Sequence, residues 1–210
     1  MNHEPSSDAA VAVARDLFWR NGYEDTSIED VVSATGLNRY ALYTSFGGKR
    51  ELFLAALDDY YSERKRHFLS RLADAKTPPL DAVRSVFEFA ISEMAERGAG
   101  CLMCNVASDV GRRDAVVAER IAKYLSEIRK AYTEALRHAA SRGDLNPAMT
   151  PEAGASLLIA VKLGLGAHAE NGATRREMLK ILNAAMSALR NPKQIEQPNV
   201  KNAGRETSAA

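Results

Sequence analysis

The chain has 210 residues but only two cysteines, one tryptophan and four histidines, and its most strongly apolar stretch, residues 157–161, stops at Lys162. That stretch is far shorter than the roughly 20 residues a membrane-spanning helix needs. Cys101 and Cys104, three positions apart, give no disulfide framework of the kind small secreted domains depend on, so a reducing compartment is expected. Near the N-terminus Asp8, Arg15 and Asp16 interrupt the apolar residues, which leaves no signal-peptide core. Isolated histidines, no glycine-rich phosphate loop and no cluster of metal ligands argue against an enzyme or a cofactor site. Excess charge is missing as well. The balance is 28 Lys+Arg against 27 Asp+Glu, a net +1, and residues 1–50 carry five basic against seven acidic side chains. No overall field attracts nucleic acid, so any affinity for it has to come from local placement. These absences imply a cytoplasmic, soluble protein with no membrane partner and no cofactor.

β-Branched alternation is missing too, whereas helical periodicity with start and stop signals recurs throughout. The expected fold class is all-α with nine helices, over residues 7–21, 27–36, 38–45, 49–75, 80–96, 101–110, 112–141, 151–171 and 174–190. Gly22, Gly36 and Gly47-Gly48 punctuate the first four, and Thr77-Pro78-Pro79 and Gly98-Ala99-Gly100 divide the later ones. Three parts are expected: an N-terminal part of short helices over 1–50, a larger helical part over 51–190, and a polar, disordered tail over 191–210.

The richest segment is 26–53, TSIEDVVSATGLNRYALYTSFGGKRELF. Thr26 with Glu29 three residues on reads as a capping box, and Ile28, Val31 and Val32 give that helix a buried face. Gly36 supplies a tight turn, after which Asn38 starts a second short helix with Leu42 and Phe46 turned inward. Two short helices joined in this way form a helix-turn-helix unit, whose second helix enters the major groove. Asn38, Arg39 and Tyr40 then occupy the turn that reaches base edges, with Arg39 suited to guanine and Asn38 to adenine. Tyr43 follows on the same face. Thr26, Ser27 and Lys49 stand at helix starts that can hold phosphates, and Thr44 completes the expected contact set. The acids Glu24, Asp25, Glu29 and Asp30 are expected to face away from the DNA. On pattern alone, a plain helical hairpin in an all-α domain accounts for the segment equally well.

The stretch 18–53 resembles the DNA-binding domain of TetR-family transcriptional regulators. Phe18, Gly22, Thr26, Ile28, Val32, Gly36, Leu37, Leu42, Tyr43, Phe46, Lys49, Glu51, Leu52 and Phe53 match without a gap. Tyr40 stands where the family usually has a small residue, and Thr44-Ser45 replaces a pair that is commonly aromatic or histidine. The resemblance implies a dimer on a palindromic double-stranded DNA operator and a helical C-terminal domain that binds a small-molecule effector. It also implies a homodimer interface from the last two helices, where Leu157, Val161, Leu165, Met178, Leu182 and Met186 are candidates. A central position of helix eight in its own core is the alternative.

Residues 98–110, GAGCLMCNVASDV, place Cys101 and Cys104 on one helix face. Gly-Cys-Leu-x-x-Asn resembles a motif of one subgroup of these regulators, some of which respond to electrophiles or oxidants. Cys101, at a helix N-terminus, is the more acidic thiol on these grounds. Buried packing thiols, a redox or electrophile sensor, and a metal pair remain three open readings. Candidate walls of an effector cavity are Tyr60, Tyr61, Phe87, Met94, Cys101 and Tyr124. The expected function is a ligand-responsive transcriptional repressor; a nucleoid-associated or cell-division factor and an all-α enzyme are the alternatives.

Overall fold

In a computed structural model, residues 6–72, 74, 76–108 and 110–195 are described. Ten α-helices follow in order: α1 Ser7–Asn21, α2 Ile28–Thr35, α3 Arg39–Phe46, α4 Lys49–Leu72, α5 Pro79–Arg97, α6 Leu102–Ser108, α7 Ala115–Ser141, α8 Pro151–Glu170, α9 Arg175–Leu189 and α10 Pro192–Ile195. A 3-10 turn at Val110–Arg112 separates α6 from α7. The nine expected helices are therefore present. The described residues form no strand, only one isolated bridge, Leu145 to Arg190. In the expected tail, Pro192–Ile195 is a single helical turn, and 196–210 lie outside the described residues.

The sequence explains the boundaries. Ser6, Ser27, Asn38, Asp114, Thr150 and Thr174 cap the N-termini of α1, α2, α3, α7, α8 and α9 with a side-chain oxygen. Asp114 takes up the first amides of α7, which is why that helix starts three residues later than expected. Gly36 and Gly47 end α2 and α3 in the left-handed conformation that only glycine adopts without strain.

Helices α1–α3 and the first turns of α4 pack around Phe18, which meets Phe53 edge-on with ring centroids 5.1 Å apart, while Tyr23 lies 4.6 Å from Phe53. From there α4 runs on into the helical C-terminal part and carries Leu52, Phe53, Ala56, Leu57 and Tyr60 on one buried stripe. The core is continuous from Ala14 in α1 to Leu189 in α9. A small satellite of Ala10, Leu37 and Ala41 holds α3 against α1.

The first helix meets the later ones in a close backbone approach at Gly100. The indole Nε1 of Trp19 in α1 donates to the Gly100 carbonyl at 2.7 Å in a buried position. On the other side, a Cβ at Gly100 would stand 2.6 Å from the Gly166 carbonyl oxygen of α8. Only glycine permits that approach. Arg97 and Arg64 lie over the Trp19 ring from two directions, 4.6 and 5.4 Å from its centroid. At the surface, Arg50 grips Asp114 through two hydrogen bonds of 2.8 and 3.1 Å, which ties the start of α4 to the cap of α7.

Trp19→Phe leaves the Gly100 carbonyl buried without a donor, a loss of about 1–3 kcal/mol. Gly100→Ala forces α8 away and costs at least about as much as other overpacking substitutions, 1–3 kcal/mol. Thermal melts of both variants should fall by several degrees; an unchanged melting temperature for Gly100→Ala would show that this junction is slack.

Candidate nucleic-acid interface and regulatory sites

The outer face of α3 is the most exposed aromatic surface among the described residues. Tyr40 is 78 % and Tyr43 50 % exposed, and nothing in the apolar core calls for either. Leu42 is fully buried and Phe46 partly so, which fixes the helix with its other side outward. Arg39, Thr44 and Asn38 are also exposed. The Asn38 Oδ1 already accepts from the Ala41 amide at 2.8 Å, so this side chain serves first as the α3 cap. Its amide NH2 remains to donate. The Thr44 hydroxyl donates to the Tyr40 carbonyl at 2.9 Å. Lys49 lies with its ammonium 4.3 Å from the Tyr23 ring centroid, at the first turn of α4.

Two details of the helix-turn-helix differ from expectation. Ser27, not Thr26, caps α2, and its box partner is Asp30, not Glu29: the Ser27 hydroxyl and amide both reach an Asp30 oxygen, at 2.6 and 2.9 Å. The hydrogen bonds from Ser27 hold the exposed Asp30 carboxyl below its ordinary pKa. Thr26 is fully buried, and its hydroxyl donates to the Gly22 carbonyl at 2.6 Å. It braces the loop between α1 and α2 and offers no hydroxyl to a phosphate. A β-branched residue with a methyl to bury takes the inward position, and serine takes the outward one. Glu29 does not face away either, but forms an ion pair with Arg39 across the turn. Both partners are well exposed, so the pair is weak in water and exchangeable for a stronger anion.

The cysteines lie in the middle of the molecule. Cys101 is 2 % exposed and precedes α6; Tyr60 donates to its sulfur at 3.3 Å, and the Tyr124 hydroxyl stands 3.7 Å away. A hydrogen bond from the Cys104 thiol, with help from the Lys162 charge, Tyr60 and the Cys104 amide, pulls the Cys101 thiol well below its ordinary pKa in spite of burial. Cys104 is pushed the other way, because it donates that bond and is itself buried. Burial, then the negative charge at Cys101, raises Tyr60 and Tyr124 well above the phenol range, so both stay protonated donors. The rest of the motif has a packing role. Gly100 admits α8, Leu102 is buried, and Asn105 hydrogen-bonds Glu170, whose carboxyl is raised chiefly by burial.

Two cavities flank this centre. One, of about 660 Å3, lies between α4, α5 and α7, with Tyr61, Phe68, Phe89, Tyr124 and Ile128 among its walls and Lys162 of α8 also lining it. The second, of about 590 Å3, lies between the end of α1, α6 and α8, and Cys104, 9 % exposed, borders it. Of the expected effector-cavity walls, only Tyr61 and Tyr124 line the larger cavity. Tyr60, Phe87, Met94 and Cys101 are packed in the continuous core instead. The resemblance that suggested them places a cavity among these helices and does not distinguish a filled interior from a hollow one.

The interface candidates need the same correction. Leu165, Met178, Leu182 and Met186 are buried within their own chain, where α8 and α9 pack on α7 and α5. Leu157 and Val161 are partly covered, and the outward strip beside them is made of Ala160, Leu163, Gly164 and Ala167 on α8 and Ala184 and Ala188 on α9. Among the described residues no three His, Cys, Asp or Glu side chains are grouped to hold a metal ion. No helix there is long and apolar enough to cross a membrane.

A glycine-turned helix pair with an exposed aromatic and basic face, continuous with a hollow helical part, defines a helix-turn-helix DNA-binding regulator. The chain belongs to the tetR family of bacterial regulatory proteins: that family's model matches residues 10–56, and the model for the tetracyclin repressor-like C-terminal domain matches residues 79–189. It is 26 % identical over 183 residues to the HTH-type transcriptional repressor ComR of Escherichia coli (strain K12), covering 85 % of this chain and 86 % of ComR. The uncharacterized HTH-type transcriptional regulator YezE of Bacillus subtilis (strain 168) is 29 % identical over 150 residues, 70 % of this chain and 77 % of YezE. Among solved structures, a cysteine variant of the TetR-family regulator CifR bound to 26-base-pair operator DNA superimposes with a TM-score of 0.79 at 25 % identity, over 90 % of this chain and 99 % of CifR. The reduced form of Escherichia coli NemR shares the fold, with a TM-score of 0.78 at 16 % identity, over 88 % of this chain and 97 % of NemR. The protein is thus a DNA-binding transcriptional regulator and not an enzyme.

Operator selection from a random-sequence pool, followed by salt titrations, tests the residue roles. Arg39→Ala should relax preference at one base position, a loss of about 1–3 kcal/mol. Lys49→Ala should weaken binding evenly and reduce the salt slope by about one. Thr26→Val should lower the melting temperature while leaving that slope alone; loss of binding with intact stability would restore Thr26 to the DNA face.

Proposed function

We propose that the protein is a cytoplasmic, effector-responsive repressor that binds a palindromic operator as a homodimer. The observation that carries this reading is the shared peptide at residues 100–101. The head's Trp19 holds the Gly100 carbonyl, and the next residue is the acidic thiol Cys101 between Tyr60 and Tyr124. A change of charge or size at that thiol displaces the very segment that orients α1. DNA release then follows from a subunit arrangement whose half-sites no longer fit.

Dimerisation supplies the second half-site that one short recognition helix needs. The strip of small and apolar residues on the outer sides of α8 and α9, with Leu157 and Val161 at its edge, is suited to close helix packing against a second copy. CifR and ComR, a regulator complexed with operator DNA and a named repressor, support repression. The Gly-Cys-Leu-x-x-Asn segment, Gly100 to Asn105, supports the electrophile-sensing version of the response. Cys101 is the reactive group in it, and Cys104, at the edge of the second cavity, is the entry point.

The protein should sediment as a dimer at micromolar concentration; a monomer there removes the reading. Iodoacetamide should release operator DNA from the wild type and from Cys104→Ser, but not from Cys101→Ser. Release of the Cys101→Ser variant at the wild-type rate would end the sensor role. An ordinary thiol loses about tenfold in thiolate per pH unit below its usual value of about 8.5. Because the folded Cys101 thiol is depressed, its thiolate survives as pH falls below that value. Alkylation should therefore stay fast from pH 8 to neutrality and decline only as pH passes through the lowered value.

A further inference from the structure

The larger cavity has an apolar body and an uneven charge. Phe68, Leu69, Val86, Phe89, Ala90 and Ile128 form its greasy walls, whereas seven lysines and arginines line it against only two glutamates, Glu127 and Glu134. Some of that charge is spoken for. Lys65 meets Glu127 at 2.7 Å, Arg137 meets Glu134 and Glu152, and Arg64 pairs with Glu93. Arg71 and Lys162 have no carboxylate partner among the described residues. Arg71 rests instead on the Phe89 ring, 4.4 Å from its centroid, and His67 stacks against the same ring at 5.4 Å.

The unsatisfied hydrogen-bonding atoms gather in the same place. Among the described residues, three buried side-chain polar atoms lack a partner: the Nε of Arg64, the Nε of Arg71 and the hydroxyl of Tyr61. All three residues line this cavity. Tyr61 lies against the Lys65–Glu127 pair without a well-aligned bond to either, whereas the two guanidinium N–H groups have nothing to donate to. A buried donor left open is unfavourable, and both of these are cationic donors that only an acceptor satisfies. At 660 Å3 the space is of the size that encloses a small organic molecule.

We propose that this cavity binds a small organic acid, its aromatic or aliphatic body against Phe68, Phe89 and Ile128 and its carboxylate on Arg71. This assignment rests on the effector-responsive reading above and gives the effector its chemical class. A neutral isostere of equal shape fills the walls but leaves Arg71 without an anion. A cationic one adds repulsion from Arg71 and Lys162.

Isothermal titration of the full-length protein with octanoate and 2-naphthoate, their primary amides, and octylamine tests this. At least one acid should bind about tenfold tighter than its amide, equivalent to about 1.4 kcal/mol. Arg71→Gln should bring that acid to the affinity of its amide while leaving the amide unchanged, and Arg71→Lys should keep part of the preference. Ala90→Trp, which fills the cavity, should abolish both. Equal binding of acid and amide, tighter binding of the amine, an Arg71→Gln variant with the wild-type preference, or no acid bound at millimolar concentration would each overturn the assignment. Operator release measured on the same samples separates the two readings. Acid binding that leaves the protein on DNA sinks the effector role and keeps the site, whereas DNA binding with no acid bound sinks the site alone.

Discussion

Among the contacts that join the DNA-reading helices to the rest of the chain, one backbone contact allows the least change, the approach of Gly100 to the Gly166 carbonyl. With no side chain at residue 100, α8 lies against the segment before α6, and the carbonyl of Gly100 turns toward the Trp19 indole. The following thiol is thereby set among side chains from three further helices: Tyr60 of α4, Tyr124 of α7 and Lys162 of α8. Close-packed interiors do not deform smoothly, so a change at this point is passed on as a shift of whole helices. The Arg50–Asp114 pair makes a second link, but its exposure keeps its energetic weight small.

The near-zero net charge looked incompatible with DNA binding until the acids near the interface were located. Asp30 is committed to the α2 cap, where the helix start favours a negative charge. Glu29 is committed to Arg39. Off DNA, Arg39 is therefore held in place by a weak, exposed partner. In the proposed complex with DNA, a base edge or phosphate takes the place of that partner. Such an arrangement lowers affinity for arbitrary sequence more than for a site where Arg39 finds a matching base, since only there is the lost pair fully replaced.

The elements legible in the sequence were those governed by local chemistry. Gly36, Gly47, Pro151 and the caps at Asn38 and Thr174 set boundaries within the chain's own neighbourhood, and the structure places helices between them. The choice between adjacent hydroxyls was not legible: Thr26 and Ser27 differ only in which one the surrounding core covers. The cavity was missed for a related reason. Nothing in the sequence singles out Arg64, Arg71 and Phe89, and only the packing of α4 on α5 brings to one cavity two guanidinium Nε–H groups without an acceptor, Arg71 among them with no carboxylate partner in the described residues. The outward strip of α8 and α9 was blurred because α8 is apolar almost all round, so periodicity could not separate the side facing α7 from the side left open.

Lys162 lies where the two regulatory features meet. It lines the organic-acid cavity, its ammonium stands 5.8 Å from the Tyr124 ring centroid, and its charge helps depress the Cys101 thiol. An anion bound in the cavity screens that ammonium, which disfavours the thiolate and moves Cys101 back toward an ordinary thiol. Linkage makes the effect mutual. Alkylation or protonation that removes the negative charge at Cys101 leaves Lys162 freer to attract the anion. An acid in the cavity therefore shields the thiol from electrophiles, while a modified thiol strengthens the hold on acid. In the proposed scheme the two inputs are coupled through one lysine, although neither ligand touches the other.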